Sequence, residues 1–267
     1  MEFNKISCYD DYKKWLKKEY EHNNSKADIN YYESITNKMK KNLEESPIWN
    51  KLKTNLSDYN NQYYINTDGY KLFQTDDPKI DFKIKPYSSL IHKSYRKNVT
   101  FNQQFPNISE NDLITPDNWY EKINDILRTV ICVKYLDGVK FLVEKIENYF
   151  RSNNIVCKSQ FEAKEKGYYA AHVYFEHVFE VPTRSWGTNQ IKSCIEIQIT
   201  TQLQELIRGL LHKYYEENRK ESPPDSNWQW DFPSDEFYIN YLGHTLHLIE
   251  GMIFEIRENQ TKKEKIL

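Results

Sequence analysis

Glycine is scarce in this chain of 267 residues: there are seven, and none precedes Gly69. With nothing of that kind to interrupt them, the lysine-rich segments YDDYKKWLKKEY and DINYYESITNKMKKNLEE keep a helical period, and the spacing predicts a helical N-terminal extension over residues 1–65. Cysteine is scarce too. Cys8, Cys132, Cys157 and Cys194 lie far apart without the paired spacing of a metal site, so they read as reduced core residues and not as zinc ligands. No run of about 18 apolar residues occurs to span a bilayer, and the N-terminus MEFNKISCYDDYKKW has no long apolar stretch. A cytoplasmic protein without a membrane partner is expected. Excess charge of one sign is also missing, because 37 basic side chains face 39 acidic ones. Wholesale attraction to nucleic acid or anionic lipid is thereby not implied, and any charge-driven function must be local.

What is present is a core. Hydrophobic residues make up 39% of the chain and aromatic ones 15%, enough for independent folding. After the turn-like NTDG at 66–69 come strand candidates YKLF, RTVICVKYL, IVCKSQF, GYYAAHVYFEHVFEV and KSCIEIQIT, with GVKFLVEKIENYF as a helix between the second and third. An α+β core with a mixed sheet and covering helices follows, over residues 66–220. Apolar residues at 203, 206, 207, 210, 211 and 214 mark an amphipathic helix ending near Tyr215. The remainder, 221–267, reads as the loop ESPPDSNWQWDFPS, a helix capped by Ser234 that packs on the core to about residue 258, and a frayed tail. Trp228, Trp230 and Phe232 are expected to pin that loop to the core.

Several clusters could carry chemistry. From Phe82 to Ser109 there is no acidic residue, yet Lys83, Lys85, Lys93, Arg96 and Lys97 fall there, and Ser89 lies one helical turn before Lys93. Such a field suits polyphosphate; a solvated basic helix face is the alternative. In CIEIQIT, Glu196 and Gln198 share the face opposite the isoleucines, and Asp125 before RTVICV is the best second carboxylate for a shared magnesium site. A turn cap at Asp125 and an exposed edge at Glu196 would account for them otherwise. In EKGYYAAHVYF, alternation sets Tyr168, Ala170, His172 and Tyr174 on one face, as a surface that stacks a flat ligand would be built, or as a half-buried strand with a satisfied histidine. His212 reads as a surface residue beside Arg208, and His244, His247 and Glu250 lack the HExxH spacing of a metal helix.

In order, KIKPYSSLIHKSYRKN, NDILRTVICV, KEKGYYAAH, IEIQIT and the LLHKYY helix resemble the synthetase domain of the RelA/SpoT family, over roughly residues 80–215. The resemblance implies a nucleotidyltransferase-like mixed sheet flanked by helices, and an enzyme that moves the β,γ-diphosphate of ATP onto a ribose 3′-hydroxyl with release of AMP. It implies Lys83, Lys85, Ser89, Lys93 and Arg128 on the donor, Lys164, Lys166, Tyr168, His172 and Gln198 on the acceptor, and Asp125 with Glu196 on magnesium, Glu196 doubling as base for the hydroxyl. The family usually has arginine at the positions of Lys83 and Val130, the pair that sandwiches adenine, and EIQIR where this chain has EIQIT. No HD dipeptide occurs among the seven histidines, so the implied enzyme is synthesis-only. GDP or GTP is the first acceptor implied. The alternative is a toxin that pyrophosphorylates the 3′ end of tRNA, gripping it through the lysines at 13–18 and 38–41, with an antitoxin as a partner to look for. A non-catalytic nucleotide sensor is the third reading.

Overall fold

The computed structural model of the chain describes residues 2–76, 78–182, 187–217 and 227–264, with side chains described except at 211–217 and 262–264. The expected N-terminal helices are α1 (Tyr9–Tyr20), α2 (Lys26–Glu45) and α3 (Pro47–Asn66). Ser25 and Asp28 close a reciprocal capping box at the start of α2, which satisfies amides that the first turn leaves open. Strand β1 (Lys83–Ile84), α4 (Tyr87–Tyr95) and the short α5 (Trp119–Lys122) precede β2 (Leu127–Val133). There follow α6 (Leu136–Ser152), β3 (Cys157–Ala163), β4 (Tyr169–Pro182), β5 (Thr188–Thr201), α7 (Gln202–Glu217) and α8 (Asp235–Glu264). The strands form one mixed sheet in the order β1-β2-β5-β4-β3, so the α+β architecture expected from the alternating periods is the one observed.

The chain divides into two compact units: Met1–Asn50, Phe82–Thr129 and Tyr174–Glu196 in the first, Lys51–Asp81, Val130–Val173 and Ile197–Leu267 in the second. In the first unit the core is aromatic. Trp49 packs on Phe82 at 4.5 Å and lies parallel to Phe175, while Tyr12 reaches Ser94 and Asn98 by hydrogen bonds. Asn98 also binds the amide and carbonyl of Ile114, tying the long loop before α5 to α4's continuation. In the second unit Leu142, Ile146 and Phe150 of α6 are buried, as are Val173, Ile197 and Ile199. Where the backbone must turn left-handed the chain mostly spends polar residues, Glu21, Asn24, Asp68 and Asn154, and keeps positive-φ glycine for Gly69 and Gly167.

Four expectations need correcting. YKLF is not a strand: the amides of Leu72 and Phe73 donate to the side chain of Asn60, which replaces a ladder partner. Of the loop aromatics Trp228 is buried, but Trp230 and Phe232 are exposed, because the chain there makes a short 3-10 turn that points only the first ring inward. The tail is not frayed at 258, since α8 continues to Glu264. Finally, the cysteines are free as expected, but Cys8 is exposed before α1 and the other three are half-buried. Burial pushes the Cys132 thiol up to about 11. Residues 221–226 of the loop, and the side chain of His212, lie outside the described residues.

Candidate active site

In the first unit the donor-side residues are brought together by two short elements. Lys83 and Lys85 bracket β1, and Pro86 ends the strand so that α4 starts at once and carries Ser89 and Lys93 on its first turns. Asp125 sits two residues before β2. Its Oδ2 accepts a hydrogen bond from Lys85 Nζ at 2.8 Å, and its Oδ1 lies 2.9 Å from Lys93 Nζ, an ion pair without hydrogen-bond geometry. Burial alone would raise the Asp125 carboxyl, but Lys93 and Lys85 outweigh it and hold it at about 2. Burial draws the Lys85 ammonium below the lysine range against the pull of Asp125. Two cations sharing one anion leave a net positive charge in a half-dry place. Asp125 is therefore no turn cap.

Lys83 lies directly opposite Arg128 in the antiparallel β1–β2 ladder. Like charges opposite one another in a ladder repel unless something stands between or above them. Arg96 is exposed and its guanidinium lies 4.7 Å from the Phe101 ring centroid, where the helix widens into a π turn at Arg96–Thr100. Glu196 is buried on β5, the middle strand of the sheet and the neighbour of β2, so it is not at an exposed edge. The hydroxyl of Tyr174 reaches its Oε1 at 3.5 Å.

The acceptor-side residues belong to the second unit. Tyr168 and His172 share a hydrogen bond of 2.9 Å, which fixes both on one face of the strand, and Lys164 stands 5.2 Å from the Tyr168 ring centroid. His172 and Gln198 are buried. The Lys166 ammonium is 2.7 Å from Glu236 in the first turn of α8. Thr200, where an arginine was the family pattern, is buried and donates to the carbonyl of Tyr169 at 3.2 Å.

Sequence reasoning missed the residues of α8 that hold the 164–167 turn. His244 bridges the hydroxyl of Tyr169 and the carbonyl of Glu165, each at 2.8 Å. Gly243 meets Gly167 backbone to backbone: a Cβ on Gly243 would lie 2.3 Å from the Gly167 carbonyl oxygen, and one on Gly167 would lie 2.4 Å from that of Asn240. A signal existed, since a glycine inside a helix costs about 1 kcal/mol and calls for a packing reason. His247 stacks on Tyr169 at 3.7 Å and has no metal-site partner set. Among the described residues no group of three or more His, Cys, Asp or Glu is placed to hold a metal ion. Asp125 and Glu196 offer hard oxygens only, a donor set that suits magnesium when phosphate oxygens complete the shell.

No family model matches the chain, and no curated protein matches it. Solved structures do. A GTP pyrophosphokinase family protein from Streptococcus pneumoniae superposes with a TM-score of 0.52 at 17% identity, over 90% of this chain and 95% of that one. The small alarmone synthetase 1 from Bacillus subtilis, bound to its product pppGpp, gives 0.51 at 18% identity over 79% and 91%. Among the described residues no helix is long and apolar enough to cross a membrane. The chain has the fold of the small RelA/SpoT-type alarmone synthetases.

Proposed function

We propose that the protein is a pyrophosphokinase that transfers the β,γ-diphosphate of ATP to the 3′-hydroxyl of a guanine nucleotide: the 3′-oxygen bonds to the β-phosphorus, the bond between the β-phosphorus and the oxygen bridging it to the α-phosphorus breaks, and AMP leaves with that oxygen. The observation that carries this is the excess of cations about one carboxylate: Lys85 and Lys93 on Asp125, with Lys83 and Arg128 opposed across β1–β2. Four cations against one anion, in a chain with net charge −2, is an arrangement for a polyanion. Lys83 and Arg128 would flank the adenine, Lys85, Ser89 and Lys93 the triphosphate. Phosphoryl-group transfer asks little beyond positioning and charge stabilisation, which these groups supply. Asp125 and Glu196 would hold magnesium, and the ion when bound would neutralise phosphate oxygens. Glu196 would take the proton of the 3′-hydroxyl. The acceptor base would stack on Tyr168, whose ring is oriented by His172 and whose flank carries Lys164 for phosphate.

Transfer to the 3′ end of tRNA is the second reading, and here the N-terminal lysines weigh against it. Lys13 pairs with Asp10, Lys14 with Asp11, Lys40 with Glu44 and Lys41 with Glu45, the pattern of solvated helices and not of a phosphate-gripping face. A nucleotide sensor would have no use for two buried carboxylates, Glu196 on β5 and Asp125 just before the neighbouring β2. The test is incubation with γ-labelled ATP and, separately, GDP, GTP, ATP or bulk tRNA. Label on GDP or GTP with AMP release is expected, abolished by Glu196→Gln, which keeps volume and removes charge. Label on tRNA alone selects the toxin, and ATP binding without AMP release under any condition selects the sensor.

A further inference from the structure

Alongside the strand that follows Tyr168, the second unit holds a cavity of about 420 Å³ that the proposed transfer does not use. Helix α6 contributes Leu136 and Val139 to it, β3 Phe161, β4 Ala170 and α8 Phe254, so its walls are chiefly carbon. The size is that of a small-molecule site. Water is a poor occupant for such a space, since each molecule asks for two to four polar partners.

The polar side chains on the wall are mostly turned to the protein. Thr200 donates to the Tyr169 carbonyl, Thr201 accepts from the Gln204 amide, and Gln204 spends its side chain on the Gly243 carbonyl and Glu250. Asp137 Oδ2 accepts from Arg257 and Tyr63, and Glu162 lies 3.6 Å from Lys164. Apart from the exposed Lys140, no lysine or arginine occurs among the described wall residues, so the phosphates of a nucleotide would find no counter-charge. Two buried polar atoms of the wall have no hydrogen-bond partner: Oδ1 of Asp137 and Nδ1 of His247. Glu250 stands 3.8 Å from that nitrogen, beyond hydrogen-bond reach. Burial, with His244 nearby, holds the His247 imidazole below its ordinary value, so at neutral pH the ring is uncharged and Nδ1 is able to accept. One N–H or O–H on an apolar occupant would satisfy either acceptor, whereas a charge on it would be buried at a cost.

The wall is also tied to the 164–167 turn. Tyr169 and His247, both on the wall, stack at 3.7 Å. The Tyr169 hydroxyl meets Nδ1 of His244, which donates from Nε2 to the Glu165 carbonyl. An occupant that packs against the stacked pair restrains Tyr169, and through His244 it restrains the turn. With rings from Phe161, Phe254, Tyr169 and His247 around it, the occupant that gains most is itself a flat ring.

We propose that this cavity is a binding site for an uncharged aromatic molecule carrying one hydrogen-bond donor, and that its occupancy stiffens the 164–167 turn. Both halves are read without the transfer activity. The probes are indole and benzofuran, the same shape with oxygen in place of the N–H. Titration of the full chain followed by NMR should give one indole site with a dissociation constant below about 1 mM, and binding of benzofuran at least about 5-fold weaker. Val139→Phe fills the space from α6, and Ala163→Phe fills it from β3 at an exposed position that tolerates the change. Each should weaken indole at least about 10-fold with unchanged far-ultraviolet circular dichroism, and where Val139→Phe does not fold, Ala163→Phe decides. Leu248→Glu, on the exposed apolar side of α8, should leave indole binding as it is. Amide hydrogen exchange over residues 164–168 should slow when indole is added. The absence of a saturable indole site, equal affinity for benzofuran, a site that survives the filling substitutions or is lost with Leu248→Glu, or exchange over 164–168 unmoved at saturation would each overturn it.

Discussion

The surroundings of Asp125 and the turn that presents Tyr168, both proposed above to meet nucleotides, are built by opposite means. Around Asp125 the groups are neighbours along β1 and α4 and are held by charge: one carboxylate, two ammonium groups, little water. Around Tyr168 charge is secondary, and the geometry comes from close backbone packing and from α8, whose contributing residues lie some way along the chain at Glu236, Gly243 and His244. The first kind of construction survives small displacements, because Coulomb attraction falls slowly with distance. The second does not, because repulsion between packed atoms rises steeply.

That contrast can be broken in four ways. Asp125→Asn should leave Lys85 buried with an uncompensated charge and cost about 3–5 kcal/mol of stability; a denaturation midpoint unmoved by the substitution would mean that solvent already screens the cluster. Gly243→Ala forces the 164–167 turn away from α8, for about 2–3 kcal/mol, and should raise the KM for acceptor while leaving that for ATP within error. Acid should act on the two units with opposite sign, when followed by amide hydrogen exchange in chelator. Asp125 is depressed, so its contribution, about 2 kcal/mol, is complete above the ordinary carboxylate range and is lost as pH falls from about 4 through about 2. Glu250 is raised by burial, so the second unit gains stability as pH falls through its raised value toward the ordinary one. Exchange that quickens equally in both units would contradict this. Smallest is Tyr168→Ala, about 1 kcal/mol in acceptor binding, the low end for stacking, because the ring already spends interactions on His172 and Lys164.

The same contrast explains what could be read from the sequence. Strands β2 to β5 and α6 follow from period alone, and the cationic stretch after Phe82 is visible as a run without carboxylates. That Asp125 would satisfy two of those cations is not visible, since the partner lies 40 residues from Lys85. Strand β1 is two residues long, too short for any alternation, and it was YKLF nearby that carried strand-like composition. For α8 the usual assumption that polar residues face outward is what misleads: His244 and Glu250 look like surface groups until the helix is seen to turn them inward.

Gly243 gives α8 a single seat. Sliding the helix one turn along its axis would set either His247 or Ile239 against the carbonyl of Gly167, and neither can fit where even a methyl group does not. The turn beneath Tyr168 is thus a gauge of where the helix stands lengthwise, and whatever grips α8 from outside without shifting it must leave that gauge unchanged.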